Sequence, residues 1–501
     1  MKSAIRNYAL LFVGCVLLHI AGTWSLPLID RDEPRFAEAS REMIERGDYV
    51  VPHFNNQLRL DKPPLTYWAQ VASYRIFGEN DFAARFPAAI AAALIALSLL
   101  AWGTRIGGGR VGWWAAIIFT LSLQTFLHAK AAVADMWLVL FVTLAHWAGY
   151  ELTWEKQTAN VQRPTFNIQR TWWWTFYLSL AFGFLAKGPI AWTPLLTVGA
   201  IIIFMRDWQV GRRFHFLRGI VLMLAVVALW GIPALIQTHG EFFAVGIGRH
   251  VIGRSLATME GHGADSFGMY LLLLPFYFVT IFVSFFPWSI KLPWLIRRLR
   301  RKQEAGVSDH GYNGDKIDKY LLTGIAIIFL IFTLIKTKLP HYTLPAFPLL
   351  ALLLARHWSL QTAMTSPCIL FKRIAISTAA VYLAIALIVP PLVARFFPAH
   401  ELFQESLTYL RPDMQIASIN FNEPSMVWYF RSRVNGFLTS LNDRRAAEFM
   451  EKSGPRFVVL STSTVPTLFR NPPENWKMFS MRGFNIAKGK RVDLTLVLKP
   501  D

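Results

Sequence analysis

Long apolar runs separated by short polar connections fill most of this chain. They fall at 8–28, 82–102, 111–127, 134–150, 172–186, 190–205, 219–236, 269–290, 320–335, 344–354 and 374–393. Most approach the ~17–25 apolar residues that a helix needs to cross a bilayer. The pattern therefore predicts an α-helical polytopic membrane protein with about 11–13 spans, the upper figure allowing for merged or short runs. The opening stretch, with Lys2 and Arg6 ahead of apolar residues, resembles a signal peptide but lacks a small-residue cleavage site, so it reads as an uncleaved first helix. After residue 394 the period changes. Segments 414–420, 456–462 and 493–498 alternate as strands do, and 425–430 and 443–451 read as helices between them, which predicts an α/β domain over 395–501 behind a membrane domain over 1–394. In the long first connection, 29–81, two amphipathic helices are expected at the membrane surface. One spans 34–46, with Phe36, Met43 and Ile44 on a side; the other spans 64–77, with Leu65, Trp68, Ala72 and Ile76 on a side.

Composition agrees with the bilayer as solvent: of 501 residues, 54% are hydrophobic and only 16% charged. The net charge of +20 does not point to nucleic acid, because Lys and Arg collect in alternate short connections. Those are Lys2 and Arg6; Arg105 and Arg110; Lys156, Arg163 and Arg170; Arg206, Arg212, Arg213 and Arg218; Lys291 and Arg297 to Lys302; and Arg356, Lys372 and Arg373. With these on the cytoplasmic side, residues 29–81, the turns at Asp135 and Lys187, 238–267, 336–343 and the C-terminal domain face outward. Residues 300–318, rich in charge and glycine, read as a mobile cytoplasmic loop. Cys15 lies in an apolar run and Cys368 in a cytoplasmic connection, so no disulfide is expected, and neither has a metal-site spacing.

Polar chemistry gathers on the outer side. Asp30-Arg31-Asp32-Glu33-Pro34-Arg35 places three carboxylates and two guanidinium groups just beyond the first helix. They suit a helix N-terminus, where carboxylates complement the macrodipole, and equally a catalytic cluster. Asp61-Lys62-Pro63-Pro64 holds a lysine before an amphipathic helix, either as a solvated turn or as an anion site. Lys336-Thr337-Lys338-Leu339-Pro340-His341-Tyr342 sets two lysines against the prevailing charge bias; they either snorkel to phospholipid headgroups or meet an anionic partner. Arg249, His250 and Arg254 form a similar basic group, and Asp135 and Lys187-Gly188-Pro189 complete the outer set. Carboxylates beside several cations at headgroup depth suit a reaction in which a lipid phosphate is the leaving group.

DEPRFAEASREMIERGDYVVPHF, LDKPPLTYW, AKAAVADMW, FLAKGP and KTKLPHYTLP, in this order, resemble the bacterial lipid-carrier glycosyltransferases related to 4-amino-4-deoxy-L-arabinose lipid A transferase. A more distant resemblance is to the dolichyl-phosphate-mannose protein mannosyltransferases. The likeness runs from the first helix to about residue 354. It implies a GT-C fold with a periplasmic α/β cap. It implies Asp32 as the catalytic acid-loop residue with Glu33 beside it, and Asp135 as a second acidic residue facing the same cavity. Arg35, Lys62, Arg254 (in preference to Arg249), Lys336, Lys338 and Tyr342 are implied to hold the carrier phosphate. Asp61 departs from the glutamate usual in those transferases. The function implied is inverting transfer of a sugar, with 4-amino-4-deoxy-L-arabinose one option, from undecaprenyl phosphate to lipid A or another lipopolysaccharide component. The place implied is the periplasmic face of a bacterial inner membrane. A protein acceptor, or a lipid-linked sugar flippase, is the alternative. No cofactor is required and no metal-binding motif is visible, although the acidic cluster is compatible with a bound divalent metal. The partners expected are the carrier-linked donor, the acceptor and membrane lipid, with no nucleic acid.

Overall fold

The computed structural model describes residues 2–154, 166–253, 266–304, 312–365 and 369–501. Arg254, Lys156, Arg163, Cys368 and part of the expected loop at 300–318 lie outside the described residues.

Every apolar run is helical, though not always as one piece. Among the described residues, four helices are long and apolar enough to cross a membrane: Asp81–Gly107, Trp208–Gln237, Asp315–Leu334 and Ile369–Ala394. The run at 111–127 stops at Thr120 and resumes as Leu123–His128. The run at 269–290 is broken more sharply, Phe276–Ser284 and Trp288–Arg301 meeting at 118°. Pro287 sits at that break, where its missing N–H removes a helical hydrogen bond.

Helix Asp81–Gly107 is the centre of the bundle, with 72% of its most apolar stretch buried, whereas only 17% is buried for the peripheral Ile369–Ala394. Its alanines explain the difference. Ala88, Ala91, Ala92 and Ala96 are buried and allow neighbouring backbones to approach closely. The tightest approach is to helix Gly109–Thr120, where a Cβ on Gly103 would come within 2.6 Å of the Gly112 Cα. Exposed Leu217, Leu229 and Phe204 face outward from other helices, as lipid-facing side chains do.

The first connection contains helix Asp32–Arg46, a two-stranded hairpin (β1, His53–Phe54; β2, Gln57–Leu58) and helix Leu65–Phe77. In Leu65–Phe77 the expected apolar stripe is divided: Ala72 and Ile76 are exposed, Leu65 and Trp68 are half-buried against a cluster that includes Val51, Leu60 and Trp230, and Tyr67, Gln70, Val71 and Tyr74 pack inward. Helix Asp32–Arg46 departs from a one-sided surface helix. Residues from Glu33 to Met43 are buried almost without interruption, because the C-terminal domain closes over the side that the bundle leaves open.

That domain is a five-stranded sheet of β3 (Gln415–Ile419), β4 (Leu438–Leu441), β5 (Arg456–Ser461), β6 (Lys477–Asn485) and β7 (Lys490–Lys499), in the order β4-β3-β5-β7-β6. β3 pairs in parallel with β4 and β5; β7 is antiparallel to β5 and β6. Side chains alternate between two apolar layers. Ile416, Phe457, Val459, Leu494, Leu496 and Leu498 join a cluster that reaches Leu28, Ala37 and Ala132 of the membrane domain, while Ala417, Val458, Leu460 and Val497 face a second layer. Between sheet and membrane domain lies helix Pro424–Arg431, whose residues are all buried.

Polar groups fix this docking. Trp428 Nε1 and the Tyr429 hydroxyl donate to the two oxygens of Asp81 at 2.7 and 2.8 Å, and the same hydroxyl accepts from the Leu28 amide. Ser425 donates through its amide and its hydroxyl to Asp30, at 2.8 and 2.5 Å. Burial pushes the Asp30 carboxyl up to about 6 against the pull of those bonds. Arg41 bonds Glu38, Glu79 and the Trp428 carbonyl and lies 3.9 Å from the Trp428 ring centre, and Arg431 pairs with Glu38 and Glu45.

Removing one partner from such a buried network leaves an uncompensated charge, at a cost of about 3 kcal/mol or more. Arg431→Ala is accordingly expected to lower the thermal unfolding temperature of the detergent-purified chain. Arg444→Ala, which breaks the exposed pair with Glu448, should hardly move it. Equal melting of the two variants would contradict this reading of the interface.

Candidate active site

Asp32 and Glu33 open the first turn of helix Asp32–Arg46, where no side chain caps the helix. Consecutive helical residues point about 100° apart. The two carboxylates therefore meet different surroundings. Glu33 turns inward and is used completely: Arg85 donates to both of its oxygens at 2.9 and 2.7 Å, and the amides of Ala132 and Ile29 donate to them at 2.7 Å each. Asp32 turns outward, exposed, and bonds no other described residue.

Three cations belong to the same connection, and of these Arg59 feels the charge of Asp32 while Arg35 lies one helical turn beyond it. Arg35 is half-buried and within electrostatic reach of Asp30. Lys62 is half-buried and donates to the Asp61 carbonyl at 3.3 Å. Arg59, buried, bonds the Tyr67 hydroxyl at 2.8 Å and pairs with Asp61 at 3.3 Å. Burial opposes its charge, but Tyr67, Asp61 and Asp32 together outweigh that and hold its pKa above the ordinary guanidinium value.

A second group lies where helix Asp135–Thr153 begins. Asp135 is buried and accepts from Lys187 at 2.6 Å, and the Lys187 ammonium lies 5.9 Å from the Tyr342 ring centre. His341, the neighbour of Tyr342 in the turn Pro340–Ala346, faces His128 with ring centres 4.8 Å apart. One ligand atom each from His128, Asp135 and His341 lies within 4.8 Å of the others. The two groups are joined through the backbone, because the Ala132 amide bonded by Glu33 is three residues before Asp135.

The remaining expected residues are divided. Lys336 is exposed and bonds no described residue, but Lys338 is buried and donates to the carbonyls of Phe332 and Thr333 at 2.9 and 2.6 Å, capping the helix that ends at Leu334. Lys130 does the same for the first helix, bonding the carbonyls of Leu18, His19 and Ala21. Arg59, Arg85 and His128 had no part in the sequence-based set. An arginine and two leucines just before Asp61, and an arginine inside the first turns of a long apolar helix, were the available signals for the first two.

Residues 8–247 match the family model described as dolichyl-phosphate-mannose-protein mannosyltransferase. A relative from Edwardsiella ictaluri, described as undecaprenyl phosphate-alpha-4-amino-4-deoxy-L-arabinose arabinosyl transferase, is 30% identical over 357 residues, which cover 70% of this chain and 59% of the relative. A protein of the same description from Sodalis glossinidius is 30% identical over 68% of this chain and 58% of its own length. The chain thus spans less than two thirds of the length of these relatives. In three dimensions it superimposes on ArnT from Cupriavidus metallidurans bound to undecaprenyl phosphate, with a TM-score of 0.74 at 18% identity and 98% coverage of both chains. These likenesses define the class as a multi-pass membrane protein of the GT-C fold. Within that class the chain is similar to ArnT-like members of the dolichyl-phosphate-mannose-protein mannosyltransferase superfamily.

The neighbouring carboxylates separate by experiment. Glu33→Ala leaves Arg85 buried without its counter-charge and should lower both the amount of folded protein in membranes and its unfolding temperature. Asp32→Ala, an exposed change, should shift stability by no more than about 0.5 kcal/mol. Matching losses in both variants, read by thermal unfolding, would show that Asp32 too is a structural residue.

Proposed function

We propose that the chain is a glycosyltransferase that moves a sugar from an undecaprenyl-phosphate carrier to lipid A, or to another lipopolysaccharide component, at the periplasmic face of a bacterial inner membrane. The observation that carries this reading is Asp32: an exposed carboxylate, bonded to no other described residue, on a helix clamped from both sides, with Arg35 one turn along that helix and Arg59 within electrostatic reach. The relatives described as arabinosyl transferases support the carrier, and support 4-amino-4-deoxy-L-arabinose as the sugar. The alternation of basic connections supports the outward placement of the site.

As the bond to the anomeric carbon breaks, positive character builds on that carbon and the carrier phosphate leaves as a dianion. Arg35, Lys62 and Lys336, joined by Arg254, stabilise that charge; being preorganised cations, they favour the transition state over the monoanionic ground state. Lys338 shapes the turn that brings Tyr342 to the carrier. Asp32 takes the proton when the acceptor is a hydroxyl, and orients the acceptor when it is an ionised phosphate. Asp135 neutralises Lys187, which lies beside Tyr342. One displacement at the anomeric carbon inverts its configuration. A protein acceptor is not favoured by the relatives, and transport without cleavage leaves Asp32 without a role.

Asp32→Asn and Lys62→Ala are each expected to reduce sugar transfer in membranes by about 100-fold or more at unchanged protein level. Full activity in both would sink the assignment. Orientation is read separately: a cysteine at the exposed position Ser453, in a background with Cys15 and Cys368 replaced, should react with an impermeant thiol reagent added outside intact spheroplasts. Labelling only after lysis would place the C-terminal domain, and the site beneath it, on the cytoplasmic side.

A further inference from the structure

His128, Asp135 and His341 come from three separate elements: the end of helix Leu123–His128, the start of helix Asp135–Thr153 and the turn Pro340–Ala346. Folding nevertheless brings one imidazole nitrogen from each histidine and one carboxylate oxygen to within 4.8 Å of one another. Two imidazoles and a carboxylate are a donor set suited to zinc and similar divalent ions. Around zinc, ligands at about 2.0–2.1 Å in a tetrahedron stand roughly 3.3 Å apart, so small side-chain rotations close this cluster onto an ion.

The surroundings have the features that such a site needs. Asp135 is buried, and both histidines are half-buried, which leaves the cluster reachable from one side. The Lys187 ammonium bonds Oδ1 of Asp135 at 2.6 Å, while Oδ2 bonds no described residue and is available as a ligand. Nδ1 of His128 lies 3.0 Å from the Gln124 side-chain amide nitrogen, which donates to it; ligation through Nε2 requires that amide to turn its oxygen toward Nδ1, so that Nδ1–H donates instead. In that arrangement the hydrogen bond from Nδ1–H fixes the ring orientation, as it does in metal sites.

We propose that His128, Asp135 and His341 form a binding site for a divalent transition metal, with zinc as the best-matched ion, and that Lys187 neutralises Asp135 when the site is empty. Three protein ligands leave a fourth position open to water or to an anionic oxygen. Tyr342 follows His341 directly, so an ion here stiffens the turn against helix Asp135–Thr153. The inference does not depend on the transfer reaction, because it rests on the donor set alone.

The test uses the full chain, purified in detergent, freed of any affinity tag, stripped with EDTA and then equilibrated with zinc. Bound metal is measured by mass spectrometry of the element after gel filtration. About one zinc per chain is expected in the wild type. It should be lost in His128→Ala and in His341→Ala, retained in the surface control His215→Ala, and bound more tightly in Lys187→Met, which removes the competing cation. Zinc should also raise the unfolding temperature of the wild type and not that of the two histidine variants. No zinc in the wild type, or equal zinc in all variants, would overturn the proposal. Asp32→Asn should keep its zinc, so a failure of the transfer reading and a failure of this one are seen in different measurements.

Discussion

The buried pair between Arg85 and Glu33 is the constraint on which the rest of the site depends. A guanidinium 1% exposed inside a membrane bundle must have its charge met and its donors used. Arg85 meets both needs by bonding the two oxygens of Glu33 and the carbonyls of Thr23, Leu26 and Pro27. Those carbonyls belong to the chain leaving the first helix, and Glu33 belongs to the first turn of the next. A single side chain from the central helix Asp81–Gly107 thus fixes how the chain turns from the membrane into its first long connection. Because Glu33 also accepts from Ala132, the same carboxylate ties that turn to the approach to Asp135. The consequence for Asp32 is positional: its neighbour is immobilised, so it is held outward beside Arg35 and Arg59.

A helix held at one end would still swing at the other, and the C-terminal domain prevents it. Helix Pro424–Arg431 fills the open side of Asp32–Arg46 with Trp428 and Arg431, and Tyr429 bonds Leu28, in the stretch after the first helix, and Asp81, at the start of the central one. Desolvation makes these bonds matter, because each buried carboxylate or guanidinium is unfavourable without its partner. The domain is therefore part of the scaffold that presents the site, and changes far from the membrane should be felt at Asp32.

Much of this was legible in the sequence, and the remainder fails for identifiable reasons. Apolar runs and the strands β3, β5 and β7 were readable because both faces of those elements are buried, or alternate strictly, and burial dictates residue type. β4 and β6 were missed as edge strands: their outward residues include Thr439, Ser440, Lys477 and Arg482, which blur the alternation. The interruption at Ser122 depends on neighbours that no local pattern records, whereas the bend at Pro287 had its local signal in the proline itself. Motifs located the acidic and basic groups, but not their division of labour. Asp32 and Glu33 differ by one position on a helix, and only the placement of Arg85 decides which is consumed. Lys338 likewise reads as a free cation until helix Tyr312–Leu334 is seen to end beneath it. The meeting of His128 with His341 depends entirely on tertiary packing.

Under the proposed function the chain alone suffices to break the bond between sugar and carrier. The most direct measurement uses three defined components: the purified chain in proteoliposomes, undecaprenyl phosphate carrying 4-amino-4-deoxy-L-arabinose, and lipid A, with products followed by mass spectrometry. The account predicts lipid A heavier by one aminopentose residue and release of undecaprenyl phosphate in equal amount. Carrier-linked sugar that is recovered intact, whether or not it has crossed the bilayer, would contradict it.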